Sequence, residues 1–150
     1  MISNKIKHGI LGNINIPSDK SISHRSIIIP SISMGISEVN NLLMSDDVIH
    51  TLNAFKTLGV KIETLNNKII IYGKGLNSLR KPDKSIYLGN SGTSARLLTG
   101  LLASQNFETI LEGDQSLSSR PMARIMDPLK LMGAEFENIK KFYLGSDFTI

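Results

Sequence analysis

The apolar residues of this chain fall in short runs whose spacing switches between two and three or four, a pattern that predicts strands alternating with helices. Between Lys5 and Ile16 the apolar positions Ile6, Ile10, Ile14 and Ile16 alternate, broken by Gly9 and Gly12, and predict one or two short strands. Ser18 or Asp19 then stands as a cap before a helix reaching about Ser33. Pro30 falls inside it, where a missing N–H either kinks a helix or ends it. Gly35 closes that segment, and Glu38 to Leu43 read as a strand running into the cap signal Ser45-Asp46-Asp47. Val48, Leu52, Phe55 and Leu58 follow at helical spacing and predict one buried face, closed by Gly59. Val60 to Leu65 and Lys68 to Tyr72 form a hairpin about Asn66 and Asn67, residue types that tolerate positive φ in a tight turn.

From Ser85 the order begins again: a short strand to Leu88, the loop GNSGTSAR, and the apolar run LLTGLLA. Phe107 to Glu112 answers the strand at Glu38, and a helix with Met122, Ile125, Met126, Leu129 and Met132 on one face answers the helix after Asp47. A second hairpin, Ala134 to Phe136 with Phe142 to Ile150, closes the series. Two short matches mark the recurrence: Ser23-x-Arg25 with Ser94-x-Arg96, and, with similar apolar residues about a shared glycine, Leu58-Gly59-Val60 with Met132-Gly133-Ala134. Each unit reads strand, helix, strand, helix, hairpin, so the fold class is α/β (α+β) built from β-α-β-α-β-β repeats. If such units pack by an approximate rotation, the helix starts at Asp19-Lys20-Ser21 and Asn90-Ser91-Gly92 face one axis.

Composition narrows the function. At 150 residues the chain is long enough for one core, and its 41% hydrophobic and 20% charged residues suit a globular protein without a membrane span. Without cysteine there are no disulfides or thiolate metal sites, and three scattered histidines make a poor zinc constellation, so no metal is expected. A reducing, cytoplasmic setting fits, and no apolar leader is visible to be cleaved. Seventeen Lys and Arg against thirteen Asp and Glu give a net charge of +4. Only eight aromatics are present and none is interleaved with the basic residues, which favours small acidic ligands over nucleic acid.

The candidate chemistry is anion binding. PSDKSISHR, from Pro17 to Arg25, sets Lys20 and Arg25 among the hydroxyls of Ser18, Ser21 and Ser23 at a helix start, where unpaired N–H groups and the helix dipole attract phosphate or carboxylate. The same residues also fit a plain cap flanked by two solvated cations. In GNSG, Gly89 and Gly92 let backbone N–H groups approach a ligand, although the string fits neither the Walker A pattern nor the dinucleotide fingerprint. Arg120 precedes Pro121, a residue suited to a first helical turn, and can grip an anion bidentately or pair with a local acid such as Asp114. Asp46 and Asp47 read as caps and dipole partners of their helix rather than catalysts, and His24 as a helix-surface residue rather than a base.

Five strings together carry a family resemblance: KSISHR ending at Arg25, NLLMSDD ending at Asp47, LGNSGTSAR ending at Arg96, GDQSLSSRPM from Gly113 to Met122, and PLKLMGA from Pro128. In this order they resemble the N-terminal portion of the 5-enolpyruvylshikimate-3-phosphate synthases (3-phosphoshikimate 1-carboxyvinyltransferases). The resemblance implies an enolpyruvyl transferase-like inverse α/β barrel lobe, here incomplete. Residues 1–16 would be leading strands belonging to the other lobe, 17–80 a first repeat and 81–150 a second, with the third repeat and the C-terminal lobe absent. It implies transfer of the enolpyruvyl group of phosphoenolpyruvate to the 5-hydroxyl of shikimate 3-phosphate in the shikimate pathway, without metal or organic cofactor, by a monomeric enzyme. It assigns Lys20 and Arg120 to catalysis, Lys20, Ser21 and Arg25 to shikimate 3-phosphate, and Lys20, Asn90, Gly92, Thr93 and Arg120 to phosphoenolpyruvate. The family's chain is far longer and its general acid and base lie outside this sequence, so this chain alone is expected to lack catalysis. The alternatives are a non-catalytic phosphate-binding module and, lower in rank, a UDP-N-acetylglucosamine enolpyruvyl transferase relative, whose usual catalytic cysteine has no counterpart here.

Overall fold

The computed structural model describes residues 11–66, 68–140 and 146–149. The first half holds α1 (Lys20–Ile32), β1 (Met34–Asn40), α2 (Asp46–Thr57), β2 (Lys61–Leu65) and β3 (Lys68–Lys74). The second holds β4 (Ile86–Tyr87), α3 (Gly92–Leu102), β5 (Ile110–Glu112), a single-turn α4 (Gln115–Ser118), α5 (Ala123–Leu131), β6 (Glu137–Lys140) and β7 (Ser146–Thr149). Among the described residues no helix is long and apolar enough to cross a membrane.

The two sheets are variations on one plan. The first has the order β1-β3-β2, antiparallel throughout; the second has the order β4-β5-β7-β6, with β4 parallel to β5 and the rest antiparallel. In both, the second strand of the hairpin lies in the middle and pairs with the strand between the two helices. The difference is β4, which extends the second sheet, while the matching edge at β1 has no strand on it among the described residues. The strand expected up to Ile16 is therefore not formed over residues 11–16. Ile14 and Ile16 lie in irregular chain, 83% and 71% exposed, because apolar alternation supplies no hydrogen-bonding partner by itself. Its earlier part, Lys5 to Ile10, lies outside the described residues.

Helix α1 passes Pro30 and stops at Ile32, so the proline occupies the last turn, where one lost hydrogen bond disturbs least. Ser31 and Ser33 donate back to the carbonyls of Ile27 and Ile29 at 2.7 Å, and these bonds satisfy part of the helix end. Gly35 does not end the segment. The strand begins at Met34, four residues before the sequence suggests, and stops at Asn40, ahead of Asn41 at φ 55°. Its partner Gly73 explains the packing: a Cβ there would come within 2.2 Å of the Pro30 carbonyl oxygen and 2.3 Å of that of Ser33. The C-terminal turn of α1 thus rests directly on the sheet backbone.

Helix α2 matches its periodicity, with Val48, Phe55 and Leu58 at 0% exposure and Leu52 at 5%. Each such side chain contributes about 1.5–3 kcal/mol by burial. Together with Ile27, Ile69 and Ile71 they form one continuous core with Leu88, Leu98, Leu102 and Leu111 of the second half. The hairpin turns at Asn66, whose φ of 44° fits the expected tight turn, and Leu65 pairs with Lys68; Asn67 lies outside the described residues.

The second half departs more from expectation. The strand predicted from Phe107 is formed only over Ile110–Glu112, and α5 starts at Ala123, leaving Pro121 ahead of the helix and Met122 as its cap. Its apolar face is only part-buried: Met122 ahead of it joins the core and Met126 packs against that core, Ile125 and Leu129 are half-buried, and Met132 is 81% exposed. The last hairpin pairs β6 with β7, so Ala134 to Phe136 precede the strand; residues 141–145 and 150 of the expected hairpin are outside the described residues.

Candidate active site

Asp19 caps α1 by accepting the N–H of Ile22 at 2.7 Å, as a plain cap would. Lys20, however, is not merely solvated. Its ammonium pairs with the carboxylate of Asp47 in the first turn of α2, and the two side chains are 49% and 20% exposed. Asp47 is therefore a dipole partner for α2 and also a counter-ion for Lys20.

Across from this pair stands the start of α3. Ser91 caps that helix, its Oγ accepting the N–H of Ser94 at 3.2 Å, and Gly92 is its first residue. A Cβ on Gly92 would sit 2.8 Å from Nη1 of Arg120 and 2.9 Å from Nη1 of Arg96, so two guanidinium groups converge where the side chain is missing. Arg96 donates to the Gly92 carbonyl at 3.3 Å, and Arg120 donates from Nη2 to Oδ1 of Asn90. Arg120 reaches this place from the turn between α4 and α5, and Asp114 is not its partner. That carboxylate caps α4, accepting the N–H of Leu117 at 2.7 Å.

Between the two walls lies an open basin of about 260 Å³, lined by Lys20 and Asp47 on one side and by Asn90, Gly92, Thr93, Arg96 and Arg120 on the other. Three cations and one carboxylate leave it net positive, with a helix N-terminus in its wall. A larger cavity of about 440 Å³ opens beside the starts of β4 and β5, but its charges are mixed, Lys81 and Lys84 against Asp83, Glu108, Glu135 and Glu137. It gathers no single sign of charge and suits a polyanion poorly.

Of the residues singled out from sequence, the structure brings Lys20, Asn90, Gly92, Thr93 and Arg120 into one basin. Ser21 and Arg25 are exposed on α1 and do not line it. The helical repeat turns both positions roughly 100–140° away from Lys20. Two lining residues were not singled out. Arg96 carries a signal, since it repeats the Ser-x-Arg of α1, whereas Asp47 reads from sequence as a cap and dipole partner of its own helix, with nothing to mark it as a basin residue.

His24 corrects the reading most sharply. It is not on the helix surface but fully buried, with Nδ1 2.8 Å from Oγ1 of Thr51 and Nε2 without a hydrogen-bond partner among the described residues. Burial holds its pKa below the usual 6.5; Asp47 opposes that shift and Lys20 reinforces it. Thr51 in turn lies 2.6 Å from Oγ of Ser94, and Ser94 lies 2.6 Å from Oγ of Ser91. A line of buried polar groups thus runs behind the basin from α1 through α2 to α3. Among the described residues no cluster of His, Asp and Glu could hold a metal ion.

The arrangement has close counterparts. A family model described as EPSP synthase (3-phosphoshikimate 1-carboxyvinyltransferase) matches residues 5–145. The 3-phosphoshikimate 1-carboxyvinyltransferase of Oenococcus oeni is 52% identical over 128 residues, which are 85% of this chain and 29% of that protein. Those of Leuconostoc citreum and Lactococcus lactis subsp. lactis are 48% and 50% identical over 87% and 85% of this chain, each match covering 30% of the relative. The solved EPSP synthase from Acinetobacter baumannii superposes with a TM-score of 0.82 at 43% identity, over 91% of this chain and 31% of that one. The chain spans about 30% of the length of the curated relatives it matches. With a family match across nearly its whole length and a mixed α/β fold shared with solved members, the chain belongs to the EPSP synthase family.

Proposed function

We propose that this chain forms part of a 3-phosphoshikimate 1-carboxyvinyltransferase, which moves the enolpyruvyl group of phosphoenolpyruvate to the 5-hydroxyl of shikimate 3-phosphate in aromatic amino acid biosynthesis. The observation that carries the reading is the convergence of Arg96 and Arg120 on the bare Cα of Gly92, with Lys20 across a basin of about 260 Å³. Both substrates are small polyanions, and fixed cations around a backbone-lined helix start are what such ligands need. Family membership supplies the rest of the argument.

In this reading Arg120, Gly92, Asn90 and Thr93 receive phosphoenolpyruvate, Lys20 lies between the two substrates, and Ser21 and Arg25 hold shikimate 3-phosphate from the adjoining face of α1. The 5-hydroxyl gives up its proton as its oxygen bonds to C2 of the enolpyruvyl group and C3 gains a proton; loss of phosphate from C2 and of a proton from C3 then restores the double bond. Charge on the carboxylate and on the leaving phosphate is met by Lys20 and Arg120 without reorganisation, and juxtaposing the substrates removes much of the entropic barrier. The general acid and base are expected from chain beyond this sequence.

The reading divides residues 17–80 and 81–150 into two β-α-β-α-β-β units of one lobe, with 1–16 leading in from the other lobe, and it describes a cytoplasmic, monomeric enzyme that binds no nucleic acid. Its test joins this chain to the C-terminal remainder of the Lactococcus lactis relative and measures phosphate release. Release that requires both substrates supports the reading; a folded joined protein that releases none overturns it. That the chain spans only about 30% of its relatives' length favours a second reading for the chain by itself, a non-catalytic phosphate-binding module. Calorimetry with shikimate 3-phosphate decides that point, heat of binding supporting it and none rejecting it.

A further inference from the structure

The polar line behind the basin is closed in a way that constrains its protons. Thr51 Oγ1 lies 2.8 Å from His24 Nδ1 and 2.6 Å from Ser94 Oγ, and donates to the Asp47 carbonyl at 3.2 Å. Ser91 Oγ accepts the Ser94 N–H and lies 2.6 Å from Ser94 Oγ. A hydroxyl has one proton and two lone pairs. If His24 donates from Nδ1 to Thr51, then Ser94 donates to Thr51 and Ser91 to Ser94, and every proton is used. Only the Nε2 lone pair is left over. The other tautomer would strand a buried N–H, the costlier defect.

His24, Thr51, Ser91 and Ser94 are each at most 0% exposed, in positions where apolar side chains would pack without any such bookkeeping of protons. What they share is location. His24 lies one turn along α1 from Lys20, Thr51 one turn along α2 from Asp47, and Ser91 and Ser94 flank Gly92 and Thr93. Hydrogen bonds are directional where apolar packing is not, so a line in which every proton is engaged sets relative position. We infer that the line His24–Thr51–Ser94–Ser91, with Thr51 as its hub, is a positioning device that holds the Lys20–Asp47 wall of the basin in register with the amide-rich start of α3. Thr51 touches no ligand in this scheme. It acts through Asp47 and Ser94 on the groups that do.

The inference rests on the basin being an anion site, and its experiment separates the two. Affinity for phosphoenolpyruvate is measured by calorimetry on the full chain and on Thr51→Val, Thr51→Ser, Lys20→Ala and Arg120→Ala, with folding followed by circular dichroism. Thr51→Val keeps the shape and removes the hydroxyl, and is expected to weaken binding about tenfold while remaining folded; Thr51→Ser restores the wild-type affinity. A merely structural hydroxyl would lower the melting temperature and leave the affinity of the folded protein unchanged, and that result overturns the inference. Loss of binding in Lys20→Ala and Arg120→Ala upholds the anion site whatever Thr51→Val does. A wild-type chain that binds no phosphoenolpyruvate overturns both. Should Thr51→Val not fold, Ser91→Ala at the end of the line is read in its place, with weakened binding supporting the inference and unchanged binding overturning it.

Discussion

The two halves of this chain repeat a strand order but equip their matching helix starts differently. Helix α1 begins with Lys20 and offers a side-chain charge, held by Asp47; α3 begins with Gly92 and offers bare backbone, framed by Arg96 and Arg120. The matched Ser-x-Arg pairs diverge in the same way. Ser23 and Ser94 are both buried, Ser23 accepting the N–H of Leu43 at 3.0 Å and Ser94 lying against Thr51, whereas Arg25 is exposed and Arg96 lines the basin. A repeated fold therefore supplies two comparable frames, and the chemistry comes from which residue each frame turns inward.

The hardest blow to the comparison is to remove what the halves share. Phe55 of α2 is fully buried in the one core that includes Ile27 and Ile71 of the first half and Leu98 and Leu111 of the second. Phe55→Ala should destabilise the chain by about 3–5 kcal/mol and move the transitions of both halves together in a urea titration. Separate transitions would mean that the halves fold as independent bodies.

The matched arginines sharpen it next. Lys20→Ala should weaken phosphoenolpyruvate binding by about 1.5–3 kcal/mol, the usual worth of a hydrogen bond to a charged group. Arg96→Ala should fall in or just below that range, while Arg25→Ala should leave phosphoenolpyruvate affinity unchanged. Equal losses at Arg25 and Arg96, measured by calorimetry, would show that both halves face the same ligand. Gly92→Ala tests the backbone frame: its Cβ meets two guanidinium groups under 3 Å away, so both must shift, and binding should weaken by about 1–3 kcal/mol while the melting temperature moves little.

These contrasts also mark what the sequence could and could not convey. The periodicity of Val48, Leu52, Phe55 and Leu58 announced a buried face because a helix at the centre of the core needs one, and that face is buried. The glycine loop and Arg120 were legible as anion chemistry, and they meet at one basin. The misplaced elements are those whose outcome depends on partners distant in the chain. Alternation at Ile14 and Ile16 could not show whether a strand lies alongside, and the apolar stripe of α5 could not show what covers it. His24 was hidden for the same reason, since its burial depends on Thr51, 27 positions away. The dipole role of Asp47 is legible from its own helix, whereas its second role, as counter-ion to Lys20, exists only once α1 brings Lys20 beside it.

The smallest expected effect concerns the one titratable group in the line behind the basin, and it belongs to the first half alone, since Ala95 occupies the matching position on α3. Burial lowers the pKa of His24 below the 6.5 of an ordinary histidine, with Asp47 on α2 pulling it back up and Lys20 on α1 pushing it further down. A folded state that refuses a proton the unfolded chain accepts gains relative stability as pH rises. The contribution is therefore fully present above the ordinary histidine range and is lost as pH falls through it, levelling off once the folded His24 titrates as well. Urea midpoints measured from roughly pH 7.5 down to 5.5 should decline more steeply for the wild-type chain than for His24→Asn, which cannot take up that proton. The comparison is one of slopes, so any constant loss from the shortened side chain cancels, and the other histidines and the carboxylates contribute to both proteins alike. Parallel slopes would show that His24 is charged as readily in the folded chain as in the unfolded one, and the neutral imidazole donating to Thr51 would have to be abandoned.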